Sequence, residues 1–337
     1  MPISFEDRLG GLQAASMRVP SGSLEWSPIR ASDGAETLRL IRECESKNSS
    51  LFSMSEDQLA DLLESGGGNS ETVVARNRGA IKAVASVEVL AQKGSELQAQ
   101  VGAYIHPECR TDLVGAAILE WQKKSVRELA STRAGIDTPV VIHTEMDGHM
   151  TAQRELLRAA GFEKVRTFDV MYRNLGGEPL EVSRPRGGFA IVPWIAELES
   201  QVRELHMRAF KDHWGSASDI ALWWDGALRA LQKRWSFVAI SPEGRVAGYI
   251  LVGRHPAQWL REGVSTAYAE LLGVDPQIRG GGVAKALITK AMRAAQESSV
   301  ERFGLDVDVE NPHGARGFYE RLGFESVGDY SIYGLRL

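Results

Sequence analysis

The sequence predicts an α/β protein made of two tandem copies of one fold, each a mixed, mostly antiparallel sheet flanked by helices. A segment that begins at Ile105 repeats, without a gap, a segment that begins at Val274. In both halves, β-prone runs alternate with helix-forming runs, which is typical of sheets covered by helices. A stretch rich in glycine, proline and charge, residues 176–188, separates the halves. We therefore expect an N-terminal domain at 1–180 and a C-terminal domain at 187–337.

The first half is predicted to contain a β-hairpin, a helix and a buried strand. Residues 71–75 and 80–89 are rich in valine, isoleucine and alanine and flank Asn77-Arg78-Gly79, a turn-forming sequence. The apolar spacing of residues 114–129 predicts a helix, and the apolar run at 139–143 predicts a buried strand.

The second half repeats this order of elements. The patterns predict an amphipathic helix at 197–210, hairpin strands at 237–240 and 246–252, a strand at 269–274, a helix at 284–296 and a strand at 303–309.

Composition and charge narrow the class of protein. The chain has 337 residues, is 43% hydrophobic and carries a net charge of −5, which is typical of a soluble globular protein long enough for two domains. Its mild acidity gives no reason to expect binding to nucleic acid. Cys44 and Cys109 form neither a disulfide framework nor a metal cluster, so we expect a reducing compartment and no metal. No apolar run reaches membrane-spanning length and the N-terminus does not resemble a signal peptide, which favours a cytoplasmic protein with no membrane partner.

A glycine-rich turn in the second half is the strongest functional signal. Residues 274–285 run from a β-prone strand, through Gly280-Gly281-Gly282, into a helix-forming segment. Unpaired N–H groups and the helix dipole attract phosphate or pyrophosphate at such a helix start, and glycine lets the backbone approach it. The turn lacks the Gly-Lys-Ser/Thr ending of a P-loop, and its glycine spacing fits a dinucleotide fingerprint poorly.

Two motifs resemble those of one enzyme superfamily. The pattern Arg-x-x-Gly-x-Ala at residues 279–284 resembles the coenzyme A loop of the GNAT superfamily of N-acetyltransferases. Residues 307–324 resemble its second motif, in which a strand ends at Asn311 and a short helix carries Tyr319 before Leu-Gly-Phe. The tandem arrangement is similar to that of the actinobacterial acetyltransferases that include mycothiol synthase, although the motifs themselves cover only about residues 265–337.

The resemblance implies an acetyl-CoA-dependent N-acetyltransferase that moves an acetyl group to a primary amine by direct attack in the C-terminal domain. In the family, the strand before the loop pairs its backbone with the pantetheine arm, and the loop amides hold the pyrophosphate. The residues that match these cofactor-binding positions are Leu272, Val274, Arg279, Gly280, Gly281, Gly282, Val283, Ala284, Lys285 and Asn311.

The resemblance also proposes the catalytic groups. Tyr319 matches the family's general acid, which protonates the leaving thiolate; the alternative is a packing tyrosine among apolar neighbours. Glu270, on the strand before the loop, is the candidate base. Family members with a carboxylate base sometimes place it two residues earlier, where this chain has Tyr268. Glu270 could therefore act directly, act through water or be only a solvated strand residue.

The N-terminal copy departs from the motif. It has Thr111-Asp112-Leu113 in place of the three glycines, and Leu157 in place of Tyr319. Side chains at these positions crowd the backbone that would hold a phosphate, which indicates a degenerate copy kept for packing and for shaping the substrate cleft. The alternative is a copy that binds a different CoA-like ligand.

Aromatic and acidic residues near the start of the second copy suggest where a small-molecule amine would bind. Asp212 and Asp225, together with nearby tryptophans such as Trp224 and Trp235, could hold a cation, although ordinary core packing explains the aromatic residues as well. A second functional class is a CoA-binding regulatory or scaffold protein without turnover. The sequence does not predict the oligomeric state.

Overall fold

The computed structural model of the chain describes residues 24–64, 68–93, 95–135, 138–210, 220–310 and 314–337. By contact, the chain divides into two units. The N-terminal unit ends at Thr167 and also includes Gly328–Leu337, and the C-terminal unit is Phe168–Val327. The predicted division between residues 180 and 187 falls inside the C-terminal unit, and the last strand of the chain belongs to the N-terminal unit. Independent domains at 1–180 and 187–337 stay a prediction.

The N-terminal unit contains one mixed sheet. Its strand order is β1-β2-β3-β4-β5-β12, and every neighbouring pair is antiparallel except β4 and β5, which are parallel. The strands are β1 (Glu25–Pro28), β2 (Ser70–Asn77), β3 (Ala80–Lys93), β4 (Glu96–Ile105), β5 (Val140–Asp147) and β12 (Glu325–Arg336, with residues 328–336 in this unit). The helices are α1 (Gly34–Asn48), α2 (Glu56–Leu63), α3 (Asp112–Ala134) and α4 (Thr151–Ala159).

The C-terminal unit has the same order of antiparallel and parallel pairs, but the strand at the sixth position precedes the other five in the chain, whereas in the N-terminal unit it follows them. Its strand order is β7-β8-β9-β10-β11-β6, again antiparallel except for one parallel pair, β10 and β11. The strands are β6 (Glu163–Asn174, with residues 168–174 in this unit), β7 (Ala190–Pro193), β8 (Phe237–Ile240), β9 (Val246–Arg254), β10 (Thr266–Val274) and β11 (Arg302–Asp308). The helices are α5 (Glu199–Ala209), α6 (Ile220–Ala230), α7 (Pro256–Glu262), α8 (Val283–Glu297) and α9 (Ala315–Glu320). The predicted fold class, a mostly antiparallel mixed sheet flanked by helices, is confirmed.

Local sequence explains the elements that frame the second unit. Helix α8 carries apolar side chains at Val283, Leu287 and Ala291, one helical face, and all three are buried in the core beneath β8, β9 and β10. The opposite face of the sheet packs against α5 and α6 through Val202 and Trp224. Strand β9 is therefore buried on both faces, which is why it is apolar along most of its length. In the part of the chain that the structure describes, every helix is too short or too polar to cross a bilayer.

The parallel pair in the C-terminal unit separates after a few residues. Strand β10 pairs with β11 only from Thr266 to Tyr268, whereas it pairs with β9 as far as Val274. Strand β11 continues to Asp308 while paired with β6. Beyond Tyr268 the two strands diverge, so the β11-facing backbone edge of β10 is left open to hydrogen-bond a ligand.

A β-bulge interrupts β10 just after the separation begins. The pairing with β9 passes from Ala269 directly to Leu271, which leaves Glu270 as the extra residue. Ala269 packs in the core beneath α8, and Leu271 packs in the core beneath α5 and α6. The bulge thus places Glu270 and Leu271 on the same face of the sheet, the face that α5 and α6 cover.

Candidate functional site

The glycine-rich loop has the backbone that a phosphate site needs. Gly280 and Gly282 adopt φ of 84° and 81°, a left-handed conformation that glycine adopts without a steric penalty. Gly282 is the N-cap of α8 and, having no side chain, forms no cap hydrogen bond with the first helical amides. The amides of Val283, Ala284 and Lys285 lie in the first helical turn, where backbone donors have no intrahelical acceptor. The Gly281 amide already donates to the carbonyl of Ile278 at 3.3 Å, so the open donors of the predicted cofactor residues 280–285 are those at the start of α8.

A polar cavity of about 500 Å³ lies against this loop. Three of the side chains that line it, Arg184, Arg186 and Lys285, are cationic, and all three residues are exposed. The remaining lining residues are Glu181, Val182, Ser183, Gly280, Gly281 and Gly282. Positive charge beside open backbone donors suits a phosphorylated ligand.

The segment that was predicted to be a linker is docked along α8. Its backbone amides donate to α8 and to the loop: Ser183 N to Thr289 Oγ1 at 3.0 Å and Arg186 N to Gly281 O at 2.9 Å. Nearer the C-terminal end of α8, the Gln296 side chain bonds the start of the same segment. Because of these contacts, Arg184 and Arg186 lie near the N-terminal end of α8.

Arg279 lies at the loop but its guanidinium is directed at a neighbouring helix. Its Nη2 donates to the carbonyl oxygen of Ala209 at 3.0 Å, at the C-terminal end of α5. Arg208 forms an ion pair at 3.6 Å with Asp275, next to the loop. Arg279 thus links α5 to the glycine-rich loop, a structural role that the motif alone does not reveal.

Leu272 and Val274, the predicted strand residues, occupy the open part of β10. Their backbones pair with Ile250 and Gly248 of β9, and their side chains pack in the core beneath α8. Their other backbone edge is the one that β11 leaves open. They are therefore placed to hydrogen-bond an extended ligand arm.

Glu270, the predicted base, is bonded to a histidine. Its Oε1 lies 2.5 Å from Nε2 of His255, and the exposed fractions of the two side chains are 19% and 36%. The Glu270 carboxylate covers Gly253: a Cβ at that position would lie 2.2 Å from Oε1. The Glu270 carboxylate can therefore lie against the sheet at this position only because Gly253 has no side chain.

Tyr268 occupies the position where some family members carry a carboxylate. Its hydroxyl donates to Oδ1 of Asp306 at 3.3 Å, so a carboxylate is supplied from the neighbouring strand β11. Its ring meets the ring of His255 edge-on, with centroids 6.0 Å apart. The sequence reasoning missed His255 and Asp306.

Tyr319, the predicted acid, lies on the short helix α9. Its ring packs against Phe318 and Phe324, with centroids 5.1 Å and 5.8 Å away. Burial and the charge of Asp306 raise the pKa of Tyr319 above its usual value, which keeps the phenol protonated. Among the described residues its hydroxyl forms no hydrogen bond, so the proton is available to a ligand. Packing and proton donation are both compatible with this position.

The remaining residues singled out in the sequence are not described, are buried in the core or are exposed. Asn311 and Asp212 lie outside the described residues. Trp224 and Trp235 are buried in the core, as the packing interpretation expected, and Asp225 is exposed on α6. Within the described ranges, no three His, Cys, Asp or Glu side chains are grouped as metal ligands.

In the N-terminal unit, side chains of the chain itself occupy the equivalent backbone. Arg110, which corresponds to Arg279, donates to Asn48 Oδ1 and to the carbonyl of Ile105, the residue equivalent to Val274. Cys44 Sγ donates to the same carbonyl at 3.4 Å, and burial raises the pKa of this thiol to about 11, so it remains protonated.

The start of α3 is occupied in the same way. The hydroxyl of Thr111 accepts a hydrogen bond from the Val114 amide and so caps the helix. Leu113 stands where the C-terminal unit has Gly282, and its side chain is exposed. A phosphate would meet a capped amide and an apolar side chain here, in place of open glycine backbone.

Known proteins are similar to the chain in sequence and in fold. A model of the acetyltransferase (GNAT) family matches residues 200–324. A mycothiol acetyltransferase of Saccharomonospora viridis is 27% identical over 255 residues, which cover 71% of this chain and 81% of that protein.

Two solved structures share the fold over most of the chain. A GCN5-related N-acetyltransferase from Sphaerobacter thermophilus superposes with a TM-score of 0.71 at 20% identity, covering 93% of this chain and 95% of the other. A tandem GNAT protein from the clavulanic acid biosynthesis pathway superposes with a TM-score of 0.66 at 17% identity, with coverages of 93% and 98%.

Proposed function

Since the chain carries an acetyltransferase domain of the GNAT family, we propose that it transfers the acetyl group of acetyl-CoA to a primary amine of a small molecule, within its C-terminal unit. The observation that carries this proposal is the loop at residues 280–285. Positive φ at Gly280 and Gly282, a helix start without a side-chain cap and a cationic cavity occur together there.

The residues present fit acetyl-CoA. The loop amides and the cations Arg184, Arg186 and Lys285 would hold its phosphates, because charge-assisted hydrogen bonds to phosphate are strong and directional. The open edge of β10 at Leu272 and Val274 would pair with its pantetheine arm. When bound, acetyl-CoA supplies the thioester carbonyl that the acceptor amine attacks directly.

The chain's own residues then handle two protons. Glu270 lies on the face that α5 and α6 cover and takes a proton from the acceptor's ammonium, which converts it to the nucleophilic amine. Tyr319 lies on α9, packed against the core on the other face, and gives its hydroxyl proton to the leaving sulfur. The opposite faces on which Glu270 and Tyr319 lie support a base and an acid that act from the two sides of the opening between β10 and β11.

A small-molecule acceptor agrees with the relatives named mycothiol acetyltransferase. The negative charge of Glu270 favours a cationic amine over a neutral nucleophile. Because this chain has Tyr268 where some family members place a carboxylate base, the proposal is for a small primary amine and not for the acceptor of those relatives in particular.

The alternative is a CoA-binding regulatory protein without turnover. The Tyr319 hydroxyl is protonated and forms no hydrogen bond among the described residues, and the Glu270 carboxylate is bonded to His255; both observations favour the enzyme, because a binding protein needs neither group.

The distinguishing experiment measures CoA release from acetyl-CoA with a panel of small primary amines. We expect Tyr319→Phe to lower kcat by about 100-fold with little change in acetyl-CoA affinity, as for loss of a general acid. Tyr330→Phe, in the N-terminal unit, is the matched control and should keep the wild-type rate. A protein that binds acetyl-CoA tightly but acetylates no amine would support the regulatory alternative. An unchanged kcat in Tyr319→Phe would mean that Tyr319 packs in the core and does not act as the acid.

A further inference from the structure

The loop after β9 brings a histidine to the candidate base. His255 directly follows Arg254, the last residue of β9, and precedes Pro256, the first residue of α7. Its backbone is the N-cap of α7, but its side chain forms no cap hydrogen bond. The imidazole therefore does not cap α7, although its position at the start of the helix would suggest that role.

Two contacts orient this imidazole. Nε2 lies 2.5 Å from Oε1 of Glu270, and the ring meets the Tyr268 ring edge-on at an interplanar angle of 85°. Tyr268 is itself held by its hydrogen bond to Asp306. Asp306, Tyr268, His255 and Glu270 thus contact one another in series on one face of the sheet.

Glu270 needs such a partner because of where it stands. It is the extra residue of a bulge, so its backbone lacks a place in the pairing with β9. Its side chain has several rotatable bonds and lies above Gly253, which offers no side chain to confine it. A carboxylate in this situation loses conformational entropy on being fixed, and a base must be fixed to act.

Only one carboxylate oxygen is used by this partner. Oε1 is bound by His255, and among the described residues Oε2 accepts no hydrogen bond. One oxygen holds the side chain in place, and the other stays available for a proton from the acceptor.

We propose that His255 is a positioning residue that holds Oε1 of Glu270 so that Oε2 takes the acceptor's proton. The proposal rests on the proposed function, with Glu270 as the base. One proton passes from the ammonium nitrogen to Oε2 and later leaves to solvent, which the partial exposure of both side chains permits.

A purely structural role for the pair is the competing explanation. Ion pairs between partly exposed side chains contribute little to the free energy of folding. A role in folding therefore predicts variants that are active in proportion to the amount of folded protein, whereas positioning predicts folded protein with a reduced kcat.

The test compares three substitutions at His255 in the full chain, by steady-state kinetics with an accepted amine. In His255→Gln the amide nitrogen can replace Nε2 as donor to Oε1, whereas in His255→Asn the amide falls short, and His255→Leu has no donor. We expect His255→Asn and His255→Leu to lower kcat by about 10- to 100-fold, with the KM for acetyl-CoA unchanged, and His255→Gln to recover most of the rate. His149→Gln, which alters another bonded histidine, is the control and should match wild type.

The same experiment includes a double-variant cycle. Adding His255→Asn to Glu270→Gln should slow the enzyme no further, because the histidine acts only through that carboxylate. Wild-type kcat in His255→Asn would overturn the proposal, as would equal rates for His255→Asn and His255→Gln, or additive losses in the double variant. A wild-type protein that acetylates no amine is a different result, which refutes the proposed function itself.

Discussion

At the scale of single residues, Glu270 and His255 influence each other's charge. Burial lowers the pKa of His255, but the hydrogen bond and the negative charge of Glu270 raise it, and together they leave it above the ordinary 6.5. A histidine whose folded pKa is raised stabilises the fold fully below its unfolded pKa. This stabilisation is lost as the pH rises through the folded pKa.

Removing the Glu270 charge should therefore change stability in a pH-dependent way. We expect the free energy of unfolding to fall more in Glu270→Gln, relative to wild type, at about pH 6 than at about pH 9, because only the protonated histidine gains from the carboxylate. Urea denaturation across this range measures the difference. In a His255→Gln background the same change should give a difference independent of pH. A constant difference in the His255-containing proteins would mean that the pair is not coupled in solution.

Which site residues can be predicted from sequence depends on how local their cause is. Gly280 and Gly282 can be identified because the loop conformation depends on their own φ values. Glu270 is found by its place on a strand, but the bulge that turns it over Gly253 is defined by pairing with β9. His255 lies on a different loop and belongs to no motif, so nothing local links it to Glu270.

At the scale of elements, the segment between the predicted copies is part of the candidate cofactor site. Its composition indicates a linker, and that interpretation alone suggests an exposed connection. Its contacts with Thr289 and Gly281 instead fix it along α8. The contacts are made by its backbone amides, which sequence patterns do not report.

The linker arginines should therefore affect cofactor affinity. We expect Arg184→Ala combined with Arg186→Ala to weaken acetyl-CoA binding about tenfold, which is the typical loss for charge-assisted phosphate contacts. The loss should shrink at high salt and with a CoA analogue that lacks the 3′-phosphate, if that phosphate is what the arginines meet. Lys124→Ala, which removes an exposed cation on α3, is the control. Unchanged affinity in the double variant would mean that the arginines do not contribute and that the loop alone binds the phosphates.

At the scale of the whole molecule, the internal repeat predicted two copies of one fold, and the two units share one pattern of strand pairing. Both have the same sequence of antiparallel pairs and one parallel pair that separates along its length. The assignment of β12 to the N-terminal unit could not be predicted, because strand pairing between β5 and residues 330–336 links segments far apart in the chain. Sequence patterns identify strands, whereas the partner of each strand depends on the folded chain.

The two units differ in what occupies the candidate cofactor strand and loop and their N-terminal equivalents. In the N-terminal unit, Arg110 and Cys44 bond the carbonyl of Ile105, and Thr111 caps the helix. In the C-terminal unit, Gly280 and Gly282 stand at the positions of Thr111 and Leu113, and the start of α8 has no side-chain cap. The central claim that follows is a single acetyl-CoA site in each chain, formed by the C-terminal loop.

Calorimetric titration with acetyl-CoA tests this claim most directly. Wild type should bind one acetyl-CoA per chain, and Gly282→Val should abolish binding, because valine disfavours φ of 81° and its Cβ crowds the phosphate. Arg110→Ala, at the equivalent N-terminal position, should bind with wild-type affinity and stoichiometry. Full-affinity binding to Gly282→Val, or a second site per chain that Arg110→Ala removes, would contradict the account.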